Sequence, residues 1–307
     1  MNKFALFFYC VLCFSSLNAK LLYYNIKPEY LIHKKMGIKI LDSKEIKFKK
    51  LYGIKITEIS ALAYKAPDIL YGLSDKGFLY RFKILIKKDK IKKLKLKDAV
   101  KLRDKKYKVL NCKDRDSEGM ALFGDKLLIS FERKARVESF SLNGIELKKQ
   151  KINKRLRDLN NYQSKNKQLE AVAYNDKYGI ITAPELPLKG RNKKYNTLYT
   201  KKHRYKFPAS GSITELEFID ENSILVLQRD FNYITRRRIT TLTAVYLNEC
   251  YKHICKSKEL AKLDSYKGWH IDNFEGLTKV GDKRFLMVSD DNDSFFQKTL
   301  LVLFEIL

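Results

Sequence analysis

The sequence predicts an all-β fold, a β-propeller of five or six blades built as a single domain over residues 20–307. Three observations carry that expectation. A two-part motif recurs five times, its two parts keep a nearly constant spacing, and the chain between copies leaves room for two more strands each. The copies are Ile59-Ser-Ala-Leu-Ala with Leu73-Ser-Asp75, Ser117-Glu-Gly-Met-Ala with Ser130-Phe-Glu132, Leu169-Glu-Ala-Val-Ala with Ala183-Pro-Glu185, Ile213-Thr-Glu-Leu-Glu with Val226-Leu-Gln228, and Phe274-Glu-Gly-Leu-Thr with Val288-Ser-Asp290.

The second residue of the first part and the last of the second are 14 or 15 positions apart in every copy: 60 to 75, 118 to 132, 170 to 185, 214 to 228 and 275 to 290. Short polar turns such as Phe123-Gly-Asp-Lys126 and Val280-Gly-Asp-Lys283 lie between the parts, so each copy reads as a β-hairpin. Third strands are expected at Phe78 to Ile84, Val137 to Leu142, Thr241 to Leu247 and Leu300 to Leu307. The last copy runs out of chain after its third strand. Its outer strand is therefore expected from the N-terminal stretch, within Ile46 to Ile56, and residues 20 to 53 leave room for part of a sixth blade. Composition agrees: 307 residues with 45% apolar content support a sizeable core, and 19 Tyr with 18 Phe against 5 Pro favour strands.

The chain opens Met-Asn-Lys, continues with an apolar run from Phe4 to Phe14, and reaches Ser15-Ser-Leu-Asn-Ala19 before Lys20, the layout of a secretory signal peptide. Cleavage is expected near Ala19. The apolar run is too short to cross about 30 Å of hydrocarbon, so no stable membrane insertion is expected. The mature protein is expected to be a soluble monomer in the periplasm or outside the cell. Loss of Cys10 and Cys13 with the leader leaves Cys112, Cys250 and Cys255, and a hairpin in Glu249-Cys-Tyr-Lys-His-Ile-Cys255 either pairs the last two or leaves both as thiols.

The formal net charge is +28, from 63 Lys plus Arg against 35 Asp plus Glu. The lysines are spread along the whole chain and outnumber arginine, the better fork for phosphate, so the pattern reads as a solvated basic surface with no nucleic-acid partner.

In an antiparallel hairpin the start of one strand lies beside the end of the next. Glu118 is therefore expected near Glu132, Glu170 near Glu185 and Glu275 near Asp290, and rotation about the propeller axis brings these pairs to one rim with Asp75. Seven crowded carboxylates demand a cation. Oxygen-only ligands suit Ca2+ first and Mg2+ second. Lys76, Arg133 and Arg229 directly follow rim positions and are candidates to hold an anionic substrate, with Arg136 as a fourth. Equally, the acids can be structural, fixing strand ends with the same cations as salt-bridge partners. No nucleophile elbow, His-Glu-x-x-His helix, P-loop or dinucleotide fingerprint is present, and His33, His203, His253 and His270 share no triad or metal spacing.

Asp116-Ser-Glu-Gly-Met-Ala, Ile129-Ser-Phe-Glu-Arg133, Leu225-Val-Leu-Gln-Arg-Asp-Phe231 and Phe274-Glu-Gly-Leu with Val288-Ser-Asp-Asp-Asn292 resemble the phytase-like family, also called esterase-like activity of phytase. The resemblance implies an exported β-propeller with phosphoester or ester hydrolase activity, and marks Glu118, Glu132, Arg133, Glu170, Arg229, Glu275 and Asp290 as family-like positions. Gln228, where such motifs carry an acid, and Ala171, where they carry Gly, are departures. The alternative function is a propeller that binds a protein or surface ligand and uses an ion only for structure.

Overall fold

Runs such as Leu127-Leu-Ile, Ile224-Leu-Val-Leu and Phe285-Leu-Met-Val have no polar alternate residue, as strands covered on both faces require. The computed structural model, which describes residues 17–29, 36–48 and 53–307, shows what covers them. Before the first motif lie β1 (Leu17–Asn18), β2 (Lys20–Tyr23) and β3 (Ile38–Lys47). Blade 1 is β4 (Ile59–Lys65), β5 (Ile69–Ser74), β6 (Phe78–Lys87) and β7 (Lys90–Lys101). Blade 2 is β8 (Ser117–Phe123), β9 (Lys126–Phe131), β10 (Arg136–Ser141) and β11 (Glu146–Lys149). Two short turns of helix lead to blade 3, made of β12 (Leu169–Asn175), β13 (Gly179–Pro184), β14 (Tyr195–Tyr199) and β15 (Arg204–Pro208). Blade 4 is β16 (Ser212–Phe218), β17 (Ser223–Phe231), β18 (Arg238–Tyr251) and β19 (Ile254–Asp264). Blade 5 is β20 (Asn273–Lys279), β21 (Arg284–Asp290) and β22 (Leu300–Ile306), completed by β3.

Among the described residues the blade count is therefore five. The described residues before 53 form no sixth blade: β3 pairs antiparallel with β22, from Leu300 opposite Glu45 to Ile306 opposite Ile38, and β2 adds a fifth strand beyond it. The closing strand thus precedes the expected stretch, overlapping it only at Ile46–Lys47, and residues 49–52 lie outside the described residues. Register explains the shift. Ile38 and Ile40 turn apolar side chains into the core between blades 4 and 5, and Ile46 into the core between blades 5 and 1. The leader expected over residues 1–19, with Cys10 and Cys13, lies mostly outside the described residues; of its last three residues, Leu17–Asn18 form β1, which pairs with β7.

Neighbouring blades share the core. Alternate residues of each middle strand feed opposite faces: Ile129 and Phe131 pack towards blade 1 with Leu73, while Leu128 packs towards blade 3 with Val172. Likewise Leu225 and Leu227 face blade 5, and Ile224 and Val226 face blade 3. Five clusters result, one at each blade-to-blade interface, the last joining Leu286 and Val288 of blade 5 to Leu62 and Phe82 of blade 1. Each fully buried Leu or Phe contributes roughly 1.5–3 kcal/mol. The outer edges of blades 3 and 4 touch through the parallel pair Lys206 and Ile254, just past the β18–β19 turn where Cys250 and Cys255 form a disulfide. Cys112 is a free, exposed thiol.

Candidate metal and substrate site

The five hairpins share a defect at one place. In each, the ladder between the first two strands slips by one residue, at Ile59/Ala61, Ser117/Met120, Leu169/Ala171, Ile213/Glu215 and Phe274/Gly276. The residues thrown out of register are Ser60, Glu118 with Gly119, Glu170, Thr214 and Glu275, which are the second motif positions. A β-bulge bends the strand and re-aims the extra side chain. Here it turns five side chains towards the common axis.

What they do there depends on their chemistry. Ser60 Oγ donates to Leu73 O (3.3 Å) and to Ser117 O of blade 2 (3.2 Å). Thr214 Oγ1 makes the same pair of bonds to Leu227 O and to Phe274 O of blade 5, both 3.4 Å. These two hydroxyls fasten blade to blade. The other three positions are carboxylates and gather instead.

Ligand oxygens of Glu132, Glu170 and Glu185 lie within 4.8 Å of one another, as do those of Asp116, Glu118 and Glu132. Glu132 belongs to both groups. Gln168 N donates to Glu132 Oε1 (3.3 Å), and Glu185 N donates to Gln168 O (3.0 Å), so main-chain bonds fix the blade 2 and blade 3 acids together. Burial, reinforced by neighbouring acids, pushes the carboxyls of Glu118 and Glu170 well above their usual range. Glu118 lies deep among protein atoms yet keeps part of its surface on the channel, so the effect there is one of depth rather than full loss of water. Burial raises Glu132 to about 7 even though the Gln168 amide draws it down, and raises Asp290 to about 9 with help from Glu275. Asp75 rises to about 6 through burial and the nearby Glu58.

Glu275 stands apart from both groups. It accepts from Arg229 Nη1 and from Asn273 Nδ2 (2.8 Å), and its carboxyl is raised by burial against the pull of Arg229. Burial works to lower the Arg229 guanidinium, but Glu275, Glu170, Glu185 and Glu118 outweigh it and hold the charge firmly on. Arg229 Nη2 is 3.9 Å from Glu185 and Lys167 Nζ 2.9 Å from its Oε1, so two cations face the Glu185 side of the cluster.

The remaining sequence candidates are placed as follows. Arg133 Nε lies 2.8 Å from Asp116 Oδ2, and Lys76 pairs with Glu58. Asp75 and Asp290 sit in neither three-acid group, and both feel the field of Glu275. Arg136 is drawn away from the rim: it pairs with Glu138 (3.0 Å), donates to Asp114 O (2.5 Å) and covers the Phe131 ring at 3.9 Å. His270 is exposed, and its backbone N–H donates to Ile26 O. Gln228 is fully buried and accepts from Thr243 Oγ1 (2.9 Å).

Sequence reasoning did not assign Asp116 as a ligand, although it sits two residues before Glu118, the strand spacing that shares a face. It also passed over Glu215, which is completely buried and accepts from Leu216 N (3.0 Å) and from Met120 N of blade 2 (3.2 Å). Glu217 similarly binds Lys279 N (3.1 Å) and Thr278 Oγ1 (3.3 Å) of blade 5. These two acids serve the fold.

Beside the cluster a cleft of about 900 Å³ opens between blades 4 and 5. Arg229, Glu185, Lys167 and Asn273 form its inner wall, and Phe231, Tyr233 and Phe296 its outer one.

Fold and site together define a five-bladed propeller with a buried carboxylate cluster at one mouth of its channel and an arginine and a lysine between that cluster and an open cleft. The family model of the phytase-like proteins, described as esterase-like activity of phytase, matches residues 54–293, and the chain belongs to that family. A search of curated protein sequences found no match. Among solved structures, the WD40 β-propeller domain of Doa1 aligns at 12% identity and TM-score 0.38, covering 82% of this chain and 66%, just under two thirds, of that one. The PQQ-bound aldose sugar dehydrogenase of Streptomyces coelicolor aligns at 10% identity and TM-score 0.43, covering 87% and 97%. The β-propeller domain of Cps50 (Swd1) from Myceliophteria thermophila aligns at 9% identity and TM-score 0.42, covering 95% and 100%.

Proposed function

We propose that the chain is an exported, monomeric hydrolase of small phosphoesters or related esters that works with a divalent cation, Ca2+ before Mg2+. The observation that carries this reading is Glu132, shared by two groups of three carboxylates whose oxygens lie within 4.8 Å of each other. The donor set fits a hard dication: it is all oxygen, preassembled by bulges and main-chain bonds, and richer in acids than in the cations available to neutralise them. Asp116, Glu118, Glu132, Glu170 and Glu185 would hold it. When bound, such an ion supplies Lewis acidity for a phosphoryl or carbonyl oxygen and acidifies water.

The chain's own residues supply the rest. Arg229 and Lys167 face the cleft and can grip an anionic group, while Arg133 does so from the blade 2 side. Asp75, outside the proposed ligand set and raised by burial to about 6, can take and return a proton near neutral pH.

The decisive experiment measures bound metal in the protein beginning at Lys20 and assays aryl phosphates and aryl acetates with and without chelator. Expected are bound Ca2+ and a chelator-sensitive activity that Glu132→Gln reduces by about 10²-fold or more. No metal and no turnover of either substrate would end the hydrolase reading. Ser60, Thr214, Glu215 and Glu217 favour a second reading, because side chains of the same motif copies there do purely structural work. On it the ion is a rivet in a ligand-binding propeller, and metal raises stability while nothing is cleaved.

A further inference from the structure

The outer wall of the cleft carries side chains that a water-facing surface normally hides. Tyr233 is 79% exposed and Ile234 94%, on the turn between β17 and β18; Phe295 is 97% exposed and Phe296 89%, on the loop between β21 and β22. Tyr233 and Phe296 line the same cleft, so the two loops flank one mouth. Tyr266, itself 62% exposed, donates its hydroxyl to Thr235 O (2.7 Å) and extends the apolar rim on the blade 4 side. Single exposed apolar residues are ordinary, but five large ones around one opening are not.

The same rim carries three consecutive arginines, Arg236, Arg237 and Arg238, together with the acids Asp230 and Asp272. Arg237 lies 5.5 Å from the Tyr266 ring centroid and Arg238 5.4 Å from that of Phe231, whose ring meets Tyr233 edge-on at 4.8 Å. Arg237 and Arg238 are matched by Asp264 and Asp272, whereas Arg236 has no ion-pair partner among the described residues and also lines the cleft. The chain as a whole carries +28. Paired apolar tips on two loops, amphipathic tyrosines beside them and a run of three arginines together form a composition that settles at a lipid headgroup boundary.

The geometry points to the cleft rim as a docking surface for an anionic lipid membrane, with Ile234, Phe295 and Phe296 entering the headgroup region and Arg236 meeting lipid phosphate. Docking this way turns the mouth of the cleft, and the carboxylate cluster behind it, towards the bilayer. The inference does not depend on catalysis or on a bound ion.

Cosedimentation of the chain beginning at Lys20 with phosphatidylcholine vesicles, with and without phosphatidylglycerol, tests it. Expected is binding to the phosphatidylglycerol vesicles that weakens as salt is raised. Replacing Ile234, Phe295 and Phe296 together by Ser lowers that partition at least about tenfold. Tyr107→Ser, which removes an exposed aromatic away from this rim, leaves it unchanged. All four positions are exposed, so melting temperature verifies that the variants fold. No binding to phosphatidylglycerol vesicles, or equal binding by the triple variant, overturns the proposal. So does a dimer in solution that the triple variant dissolves, since the rim would then be covered by a second copy.

Discussion

At the scale of single residues, the carboxylate cluster makes a signed statement about pH. Asp75, Glu132 and Asp290 rise from ordinary values of 3.8, 4.5 and 3.8 to about 6, about 7 and about 9. The folded protein therefore binds more protons than the unfolded chain between pH about 4 and 9. Stability falls as pH rises wherever that holds. Metal-free protein should lose melting temperature steadily from pH 5 to pH 9, and Ca2+ should restore more at pH 8 than at pH 5, because it competes with protons for the same oxygens. Thermal melts at several pH values, with Ca2+ or with chelator, measure both slopes; a flat metal-free curve would show that these acids are not crowded and buried as described. Asp290→Asn should raise metal-free stability at pH 8 by about 1 kcal/mol or more, the worth of relieving one such carboxylate. Of the seven acids whose repeat positions suggested a common rim, Glu118, Glu132, Glu170 and Glu185 fall in the two three-acid groups, while Asp75, Glu275 and Asp290 fall in neither. Asp116 was not singled out, because its place in the cluster comes from spatial meeting with Glu132 and not from the repeat.

At the scale of elements, the hairpins were readable from a spacing of 14 or 15 residues, but the bulges inside them were not. A bulge adds one residue to one strand, and the variation between 14 and 15 is shared between bulge and turn, so spacing alone cannot place it. Its signature is sharper in the glycines. A Cβ on Gly119 would stand 2.7 Å from Glu170 O and 2.9 Å from Ala171 Cα, and one on Gly276 would stand 3.1 Å from the Ala61 backbone. Innermost strands meet there main chain to main chain, with Ser130 Oγ also 2.7 Å from the first position and Val288 Cγ1 2.7 Å from the second. Gly119→Ala should therefore destabilise by about 1–3 kcal/mol and weaken metal binding by displacing Glu170. Glu215 is the complementary case. Removing its carboxylate strands the buried N–H groups of Met120 and Leu216, and each costs about 1–3 kcal/mol. Each carboxyl oxygen accepts one of these bonds, so Glu215→Gln, whose amide oxygen can replace only one of the two acceptors, should lose part of the stability that Glu215→Ala loses in full. Urea melts of the pair decide; no loss in Glu215→Gln would mean that one of the two N–H groups does not need its acceptor.

At the scale of the whole molecule, closure of the ring depends on a strand drawn from the other end of the sequence. That closure was foreseen because the fifth copy runs out of chain, yet its position was misplaced: Lys-rich stretches on either side of Ile46 look alike until β22 selects a register. Seven residue pairs, from Leu300 with Glu45 to Ile306 with Ile38, join the two ends, and Ile38 and Ile40 bring apolar side chains into the core between blades 4 and 5. By contrast, the described end of the expected leader pairs Leu17 with Leu96 and Asn18 with Lys95 on the outside of blade 1, and Ala19 N donates to Leu94 O (2.9 Å). The ring therefore needs β3 but not β1. A chain beginning at Lys20 should melt within a few degrees of the full-length protein, since a surface change of about 0.5 kcal/mol shifts the midpoint little in a domain of this size. A chain beginning at residue 48 leaves the β22 edge and the Leu300 to Phe304 face uncovered, and should aggregate on expression unless a peptide spanning residues 36–48 is supplied in trans. Recovery of a soluble, cooperatively melting protein on adding that peptide would confirm β3 as the clasp. A soluble, fully folded chain without it would mean that four blades and three strands close unaided, which the exposed edge argues against.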